Sequence, residues 1–436
     1  MRYFIISLLS LLNFSNMQNL SESDRGEFQL PAFARATAAS QQQQAIQTWL
    51  ELNDLAERSW AEERTAAYVE ARARKLGIPV TQLPGSHTRI VRIKGTGNGP
   101  YKGVLAYKAD LDALPYKDSE GKVCYKHTCF HSGHMAIALS VMETVWELRH
   151  RFNSEVIFIY QTAEETPDCG ARELLNSPLW KELQIDRMVA LHASPELRFD
   201  QVAVREGYAQ AGIDVLTFKV SVDTAKIKSS HVARPHAGAN TIWAAMKLAT
   251  QMKFALSETS NPVQPLLFNI VQIGSSNFGM DNVNITPDET TFIVNLRVFD
   301  LNFRNELMQK IERMVQSVEL EYNGIIQVEM QVERGPDPVF NNPALARKVF
   351  QYAQEVLGDD HVQVAEQRAG GDDAGVYSQV IPLVMARLGT GNPEKGIVAD
   401  LHNERFTVDT DCFFTGIATM TYVVLKEMEV SEVARK

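Results

Sequence analysis

The sequence predicts an α/β fold built from two separated segments and interrupted by an inserted unit of ferredoxin-like type. Three observations predict it. Up to about residue 211, short apolar runs alternate with longer stretches of helical spacing. From Gly212 the order becomes strand, helix, strand, strand, helix, strand. After residue 334 the first alternation resumes. A length of 436 residues allows two or three domains at about 150 residues each.

The elements follow in chain order. A polar tract, Gln41 to Gln44, precedes an expected helix over Ala45 to Leu55, and a second helix runs from Ala61 to Leu76, stopped by Gly77. Val104 to Lys108, Val156 to Tyr160 and Met188 to Leu191 read as buried strands, with a helix from Ile137 to Leu148. The alternation favours a sheet with parallel strands. In the inserted unit, strands are expected at Val215 to Val222, Leu266 to Ile273, Thr291 to Phe299 and Ile325 to Val332. Its helices are expected at Ala239 to Leu256 and Phe303 to Glu319. A helix from Pro343 to Leu357, a strand from Ile381 to Leu388 and a helix from Phe413 to Met428 close the chain. No internal repeat is visible.

Composition narrows the function. The hydrophobic fraction of 45% and charged fraction of 22% are those of a globular protein with a full core. A net charge of -10 without a basic stripe argues against nucleic acid as a partner. The four cysteines, Cys124, Cys129, Cys169 and Cys412, are too few for a disulfide scaffold. The apolar run Phe4 to Phe14 is too short to span a bilayer. It is compatible with the h-region of a secretory signal, which would make the protein secreted or periplasmic. It is equally compatible with an extension ahead of an internal start at Met17 in a cytoplasmic protein. No other segment reads as a membrane span.

The densest chemical signal is His127-Thr-Cys129-Phe-His131-Ser-Gly-His134. A thiolate and an imidazole two residues apart can both reach one divalent cation. Such donors suit zinc, with cobalt or nickel feasible. The competing reading is a polar loop with incidental histidines. Glu164 and Glu165 follow an apolar run. A buried parallel strand would deliver them to its C-terminal end, where open α/β sheets place ligands. One carboxylate can bind metal while the other acts as a base toward water, although adjacent acids are also common on solvated surfaces. His192 immediately follows the MVAL strand, and His402 lies in ADLHNERF. Lone histidines at strand ends are usually structural, but these converge with Cys129, His131 and Glu165. In the inserted unit, Ser229-Ser-His231-Val-Ala-Arg-Pro-His236 is either a solvated loop or a source of positive charge for an oxyanion.

On these residues the chain resembles the metallo-aminoacylase and carboxypeptidase family, in the branch of hippurate hydrolases and plant auxin-conjugate (indole-acetyl-amino-acid) hydrolases. The landmarks are KADLDALP at 108–115, HTCFHSGH at 127–134, QTAEE at 161–165 and ALHASPEL at 190–197. They continue with SHVARPHAG at 230–238, NITPD at 284–288 and GDDAGVYSQVIP at 371–382. The resemblance implies a mixed-sheet metallopeptidase-like catalytic domain with an inserted ferredoxin-like lid and dimerisation domain. It implies two divalent metal ions (zinc, manganese or cobalt) on Cys129, His131, Glu165, His192 and His402, with Cys129 bridging. It further implies Glu164 as general base, Asp112 as an orienting acid, and His231 as an oxyanion group reaching the other subunit of a homodimer. Asn284 would assist at the substrate carbonyl. His236 matches a further family histidine. Arg297 is either a contact for a substrate carboxylate or a plain strand residue.

The implied division is an N-terminal extension or signal segment over 1–30, a catalytic domain over 31–211 and 335–436, and the lid over 212–334. The implied substrate is a small-molecule N-acyl amino acid or short peptide, cleaved at its amide bond. The rival within the enzyme class is a dipeptidase or carboxypeptidase on the same centre. The chain departs from the family's Cys-Gly-His-Asp at Phe130 and Ser132. Phe130 is expected to crowd the ligand loop, and Ser132 removes a carboxylate beside a ligand. These two positions suggest the rival from another class, a degenerate binding protein without catalysis.

Overall fold

The computed structural model describes residues 29–226, 230–259, 261, 264–279 and 283–430. The apolar run at Phe4 to Phe14 and Ser229 lie outside the described residues. The first part of the chain forms α1 (Leu30–Asp54), α2 (Glu63–Lys75), β1 (Val80–Gln82), β2 (Arg89–Lys94), β3 (Val104–Asp110), β4 (Leu114–Lys117), β5 (Val123–Lys126) and α3 (His131–Glu147). Next come β6 (Glu155–Gln161), α4 (Gly170–Asn176), α5 (Pro178–Leu183), β7 (Arg187–Arg198), β8 (Val202–Val204) and β9 (Gly207–Gln210). The unit that follows is β10 (Gly212–Val222), α6 (Thr241–Thr259), β11 (Leu266–Ser275), β12 (Glu289–Val298), α7 (Leu301–Glu321) and β13 (Ile326–Arg334). The chain returns through β14 (Val339–Asn341), α8 (Pro343–Leu357), β15 (Val362–Val364), α9 (Ala374–Ser378), β16 (Leu383–Gly391) and α10 (Cys412–Glu427).

The larger sheet has ten strands, ordered β1-β2-β6-β3-β7-β16-β14-β9, with β8 joining β16 to β15. Its centre, β6-β3-β7-β16, is parallel. Its margins are mixed: β1 and β2 pair antiparallel, as do β2 with β6 and β9 with β14. The expectation of parallel strands therefore holds for the centre and for the β14–β16 and β8–β15 pairs, but not for the other margins. A short connection such as the one between β1 and β2 permits only antiparallel pairing.

Every residue of β3 and β6 is buried, because helices cover both faces. Val156, Phe158 and Tyr160 join the core under α1, α3, α8 and α10, while Ile157 and Ile159 join the core with Leu174, Leu183 and Tyr377 on the opposite face.

The second sheet, β11-β12-β10-β13, is wholly antiparallel. Along β12, buried residues alternate with half-buried ones, as expected when one face packs on helices and the other faces water. Its own core includes Leu216, Phe218, Phe292, Val294, Leu248 and Ile311, with Phe218 and Phe292 stacked at 4.7 Å between ring centroids.

Three elements differ from expectation in ways that matter for the site. Helix α1 begins at Leu30 and swallows the glutamine tract. Ala34, Ala38, Ala45 and Leu52 bury one helical face, and glutamine is a good helix former. Helix α3 begins at His131 rather than Ile137, so the histidine-rich segment itself opens the helix. Strand β7 continues to Arg198, held by pairing with β16, so His192 sits within the strand rather than after it.

A buried ion cluster ties the second unit to the returning chain. Arg304 on α7 is 1% exposed. Its Nε donates to Asp214 of β10 at 2.6 Å, its Nη2 pairs with the same carboxylate, and its Nη1 donates to Asp337 at 2.8 Å. Removing one partner of a buried pair leaves an uncompensated charge, which costs about 3–5 kcal/mol. Arg304→Leu should therefore unfold at a clearly lower urea midpoint than the parent. An unchanged midpoint would show that Asp214 does not depend on it.

Candidate metal centre

The cluster is assembled from segments that end at one edge of the parallel centre. The turn His127–Phe130 and the start of α3 bring Cys129 and His131. The turn after β6 brings Glu164 and Glu165, β7 brings His192, and the segment before α10 brings His402. Among the described residues, seven non-glycine positions have positive φ, and three of these are here: Phe130 (φ 65), Ala163 (φ 54) and His402 (φ 63). Non-glycine residues are held in this region only when the surrounding structure dictates it, and such strain gathers at functional sites.

Phe130 does not crowd the ligands, contrary to expectation. Its left-handed backbone turns the ring into the core, where it meets Trp49, Phe406 and Phe413 at centroid distances of 6.3, 6.4 and 5.6 Å. A Cβ on Gly133 would overlap that ring, so the glycine makes room for the phenylalanine. Ser132 also points away, donating its hydroxyl to Asn53 of α1 at 2.8 Å.

The ligand atoms lie close together. Cys129 Sγ is 3.5 Å from His192 Nε2 and 3.3 Å from His402 Nε2. Glu165 Oε1 lies 3.6 Å from His402 Nε2 and 3.9 Å from His131 Nε2, and Glu164 Oε2 lies 3.8 Å from His131 Nε2. The thiol is thus shared by two sets of donors, Cys129-His131-His192 and Cys129-Glu165-His402, each with its atoms within 4.8 Å of one another. The His131 Nε2 and Glu165 Oε1 atoms are buried without a hydrogen-bond partner among the described residues.

Asp112 braces this arrangement. Its backbone carbonyl accepts from His131 Nδ1 at 2.9 Å, and its carboxylate accepts from Glu165 N–H at 3.0 Å and the Ser59 hydroxyl at 2.7 Å. Burial alone would raise its pKa, but His131 and these donors hold it at about 2.

The electrostatics call for a cation. Burial, with Asp372 and Glu165 nearby, pushes Glu164 well above the carboxylate range. Burial raises Glu165 to about 7 and drives the Cys129 thiol up. Burial also lowers His192 and His402, keeping them as the neutral imidazoles that bind metals. Orphaned acceptors, a buried thiol and neutral histidines around one gap form a donor set that fits divalent zinc, cobalt or manganese.

Behind Glu164 lies a network that no role in the sequence reading covered. Lys108 Nζ meets Asp110 at 2.7 Å, Asp373 at 2.9 Å and Asp372 at 3.7 Å. Gln161 links Asp373, at 2.6 Å, to the Tyr377 hydroxyl, at 2.7 Å. A lysine inside the apolar run VLAYKAD was the available signal, since lysine is almost never buried unless paired.

The predicted residues of the inserted unit behave differently. Arg297 lines the cleft of about 730 Å³ above the cluster, donating from Nη1 to Ala369 O at 2.7 Å. His231, His236 and Asn284 are exposed and do not line it. His231 bridges to Ile285, and Val232 N–H donates to Asn284 O at 2.9 Å, so the segments of His231 and Asn284 meet on the unit's surface.

With this geometry established, residues 106–426 match the peptidase family M20/M25/M40. The chain belongs to that family. The match spans Asp112 through His402, and it makes the protein a metal-dependent amidohydrolase or peptidase. M20 relatives include an N-acetyldiaminopimelate deacetylase from Geobacillus sp., 29% identical over 77% of this chain and 85% of its own. Another is the thermostable carboxypeptidase 2 of Saccharolobus solfataricus, 28% identical over 87% of this chain and 94% of its own. The fold matches a dinuclear metal-binding M20 peptidase from Bacillus subtilis with a TM-score of 0.73, at 20% identity, over 90% of this chain and 99% of that one. No helix among the described residues is long and apolar enough to cross a membrane.

His127 offers a pH test. Both ring nitrogens are buried without a partner among the described residues, and burial, then His131, lower its pKa from 6.5 to about 3. The unfolded chain therefore binds this proton where the folded chain cannot, and the contribution to stability falls as pH drops from about 6.5 toward 3. The thermal midpoint of His127→Met should drop less between pH 7 and pH 5 than that of the parent. Equal drops would exclude His127 as a source of acid sensitivity.

Proposed function

We propose that this M20 enzyme cleaves the amide bond of N-acyl amino acids, on the branch of the hippurate and auxin-conjugate hydrolases. The observation that carries the reading is the position of Glu164: its side chain 8% exposed, beside two overlapping donor sets, and facing a cleft with room for a small substrate. The deacetylase relatives support an acyl group on nitrogen. The carboxypeptidase relatives keep a second reading open, that of a dipeptidase or carboxypeptidase on the same centre. The non-catalytic reading loses its motive, since Phe130 and Ser132 both turn away from the donors.

In the proposed centre, Cys129, His131, Glu165, His192 and His402 would hold two divalent ions, Cys129 being common to both donor sets. Such ions polarise a substrate carbonyl and acidify water. Glu164 takes a proton from the attacking water and delivers it to the leaving amine, as its burial beside the ligands suits. Asp112 positions His131 and Glu165. Arg297 contacts the substrate from the wall of the cleft.

The unit over 212–334 is proposed as a lid and dimerisation domain on a catalytic domain of residues 31–211 and 335–436, with residues 1–30 as an extension. Its edge strand β11 exposes Ile270, Val271 and Ile273, and α6 exposes Trp243, Met246 and Phe254. An exposed edge strand with apolar residues is a surface for pairing. The proposed partners are accordingly a small substrate and a second copy of this chain, with no nucleic acid. His231, with His236 and Asn284 nearby, lies outside its own cleft and would complete the partner's site, where Asn284 assists at the carbonyl.

Glu164→Gln should lower kcat on an N-acyl amino acid by roughly 10²–10⁴-fold while metal content, read by elemental analysis, stays at the parent level. A near-normal kcat would remove Glu164 from its role. No turnover of any N-acyl amino acid by metal-loaded parent enzyme, with peptides cleaved, would favour the peptidase reading.

The trans assignment has its own check. A mixed dimer of Glu164→Gln and His231→Ala subunits carries both lesions in one site and neither in the other. Subunit exchange between the two inactive variants should recover up to half the parent activity per mixed dimer. Exchange without recovery would confine His231 to its own chain.

A further inference from the structure

Arg387 is out of place by every packing rule. It lies on β16 between buried Ala386 and Leu388 and is itself 5% exposed. Its register partner on β7 is His192, so its side chain sits beside a proposed ligand and lines the same cleft. Both terminal nitrogens, Nη1 and Nη2, are buried without a hydrogen-bond partner among the described residues.

The fold does not treat its other buried arginines this way: Arg89 pairs with Glu70 at 2.7 Å. Arg304 has a carboxylate on each side. The acids near Arg387 do not bond it. Glu196 pairs with Arg368 and accepts from the Ser194 hydroxyl; Asp372 accepts from Ala374 N–H through Oδ1 at 2.9 Å, and its Oδ2, buried without a hydrogen-bond partner among the described residues, makes no bond to Arg387. Burial, then the like charge of Arg368, pull the Arg387 pKa down to about 10, and the acids Asp372 and Glu196 offset this only in part.

An unpaired buried guanidinium is strongly unfavourable unless an anion meets it. Its planar fork matches a carboxylate with two parallel hydrogen bonds. We propose that Arg387, with Arg368 beside it, forms an anion subsite that receives a carboxylate of the substrate next to the metal cluster, making Arg387 a specificity-determining residue. The inference rests on the amide-hydrolase reading only in taking the anion to be part of the substrate. The carboxylate comes from one of two sources: the α-carboxylate of the amino-acid part, or a second carboxylate on its side chain or acyl group.

The test uses metal-loaded full-length enzyme, Arg387→Met and Arg387→Gln. Binding is read by calorimetry with succinate as the probe, which requires no turnover. The parent should bind succinate at least tenfold more tightly than either variant. Without anion, the variants should unfold at the parent temperature or above it, because they shed an unpaired charge. Equal succinate affinity in parent and folded variants would overturn the proposal. So would variants that unfold earlier or fail to fold, since Arg387 would then serve the fold.

Kinetics identify the source with three substrates: an N-acyl amino acid, its α-carboxamide, and an N-acyl amino acid with a further carboxylate. The effect should fall on KM, rising tenfold or more for the carboxylate recognised, rather than on kcat. Loss of the preference for acid over carboxamide assigns the α-carboxylate, and loss confined to the third substrate assigns the second carboxylate. A uniform fall in kcat on all three overturns the proposal. If the parent binds succinate through Arg387 but hydrolyses no amide, the subsite stands and the proposed function fails.

Discussion

Six carboxylates and a thiol meet inside this protein, at one edge of a sheet covered by helices on both faces. Glu164, Glu165, Asp110, Asp112, Asp372 and Asp373 crowd one space, where burial pushes Glu164, Glu165 and Asp110 above the carboxylate range and calls for positive charge nearby. Lys108 supplies it on the inner side, through Asp110 and Asp373. On the outer side, burial lowers His192 and partial desolvation lowers the more exposed His402, while Glu165 Oε1 and His131 Nε2 are buried without a hydrogen-bond partner among the described residues. The metal dependence of the family answers that deficit. Burial sets the demand for charge, and the donor geometry sets where the charge is met.

The same constraint explains the local backbone. Cys129 and His131 reach a common centre because the chain reverses between them at Phe130, in a conformation that glycine adopts more readily. The phenylalanine is retained by packing. Its ring fills the space between α1 and α10, and Gly133 is the small residue that admits it. The strain at Ala163 and His402 has the same location, each at or beside a residue whose side chain must turn toward the cluster. Three tight turns around one point are what several separate segments require to deliver side chains to a single site.

Much of this was legible in the sequence because apolar periodicity and burial coincide. The runs VIFIY and MVAL became central strands, and Pro343 to Leu357 formed the expected helix to the residue. The glutamine tract hid the length of α1, because polarity without a breaker looks like a loop. The start of α3 was hidden because histidine, serine and glycine carry no apolar period, yet tertiary packing buries them all. The margins of the large sheet were missed because β1, β8, β9, β14 and β15 are three or four residues long, too short for a pattern. The His-Cys-His segment and the paired glutamates were visible as chemistry. Lys108, Asp372 and Asp373 were visible only as residues of motifs, since nothing in a linear sequence says that a lysine and two distant aspartates share one buried space.

Two of the buried arginines, Arg304 and Arg387, show how the fold distinguishes structure from recognition. Arg304 works between two bodies of the chain, and carboxylates from β10 and the returning segment surround it. Arg387 stands in an equally apolar strand and is left bare where the strand borders the cleft. A protein gains nothing in stability from a bare buried cation, so its presence beside an acidic floor implies a division of charge across the site. The floor of carboxylates and thiol draws cations, and the wall of Arg297, Arg368 and Arg387 draws anions. A substrate with a carboxylate at one end and an amide a few bonds away has one orientation in such a field, with its anion on the wall and its carbonyl over the floor. That polarity would fix which bond lies beside Glu164 before any apolar contact discriminates the rest of the molecule.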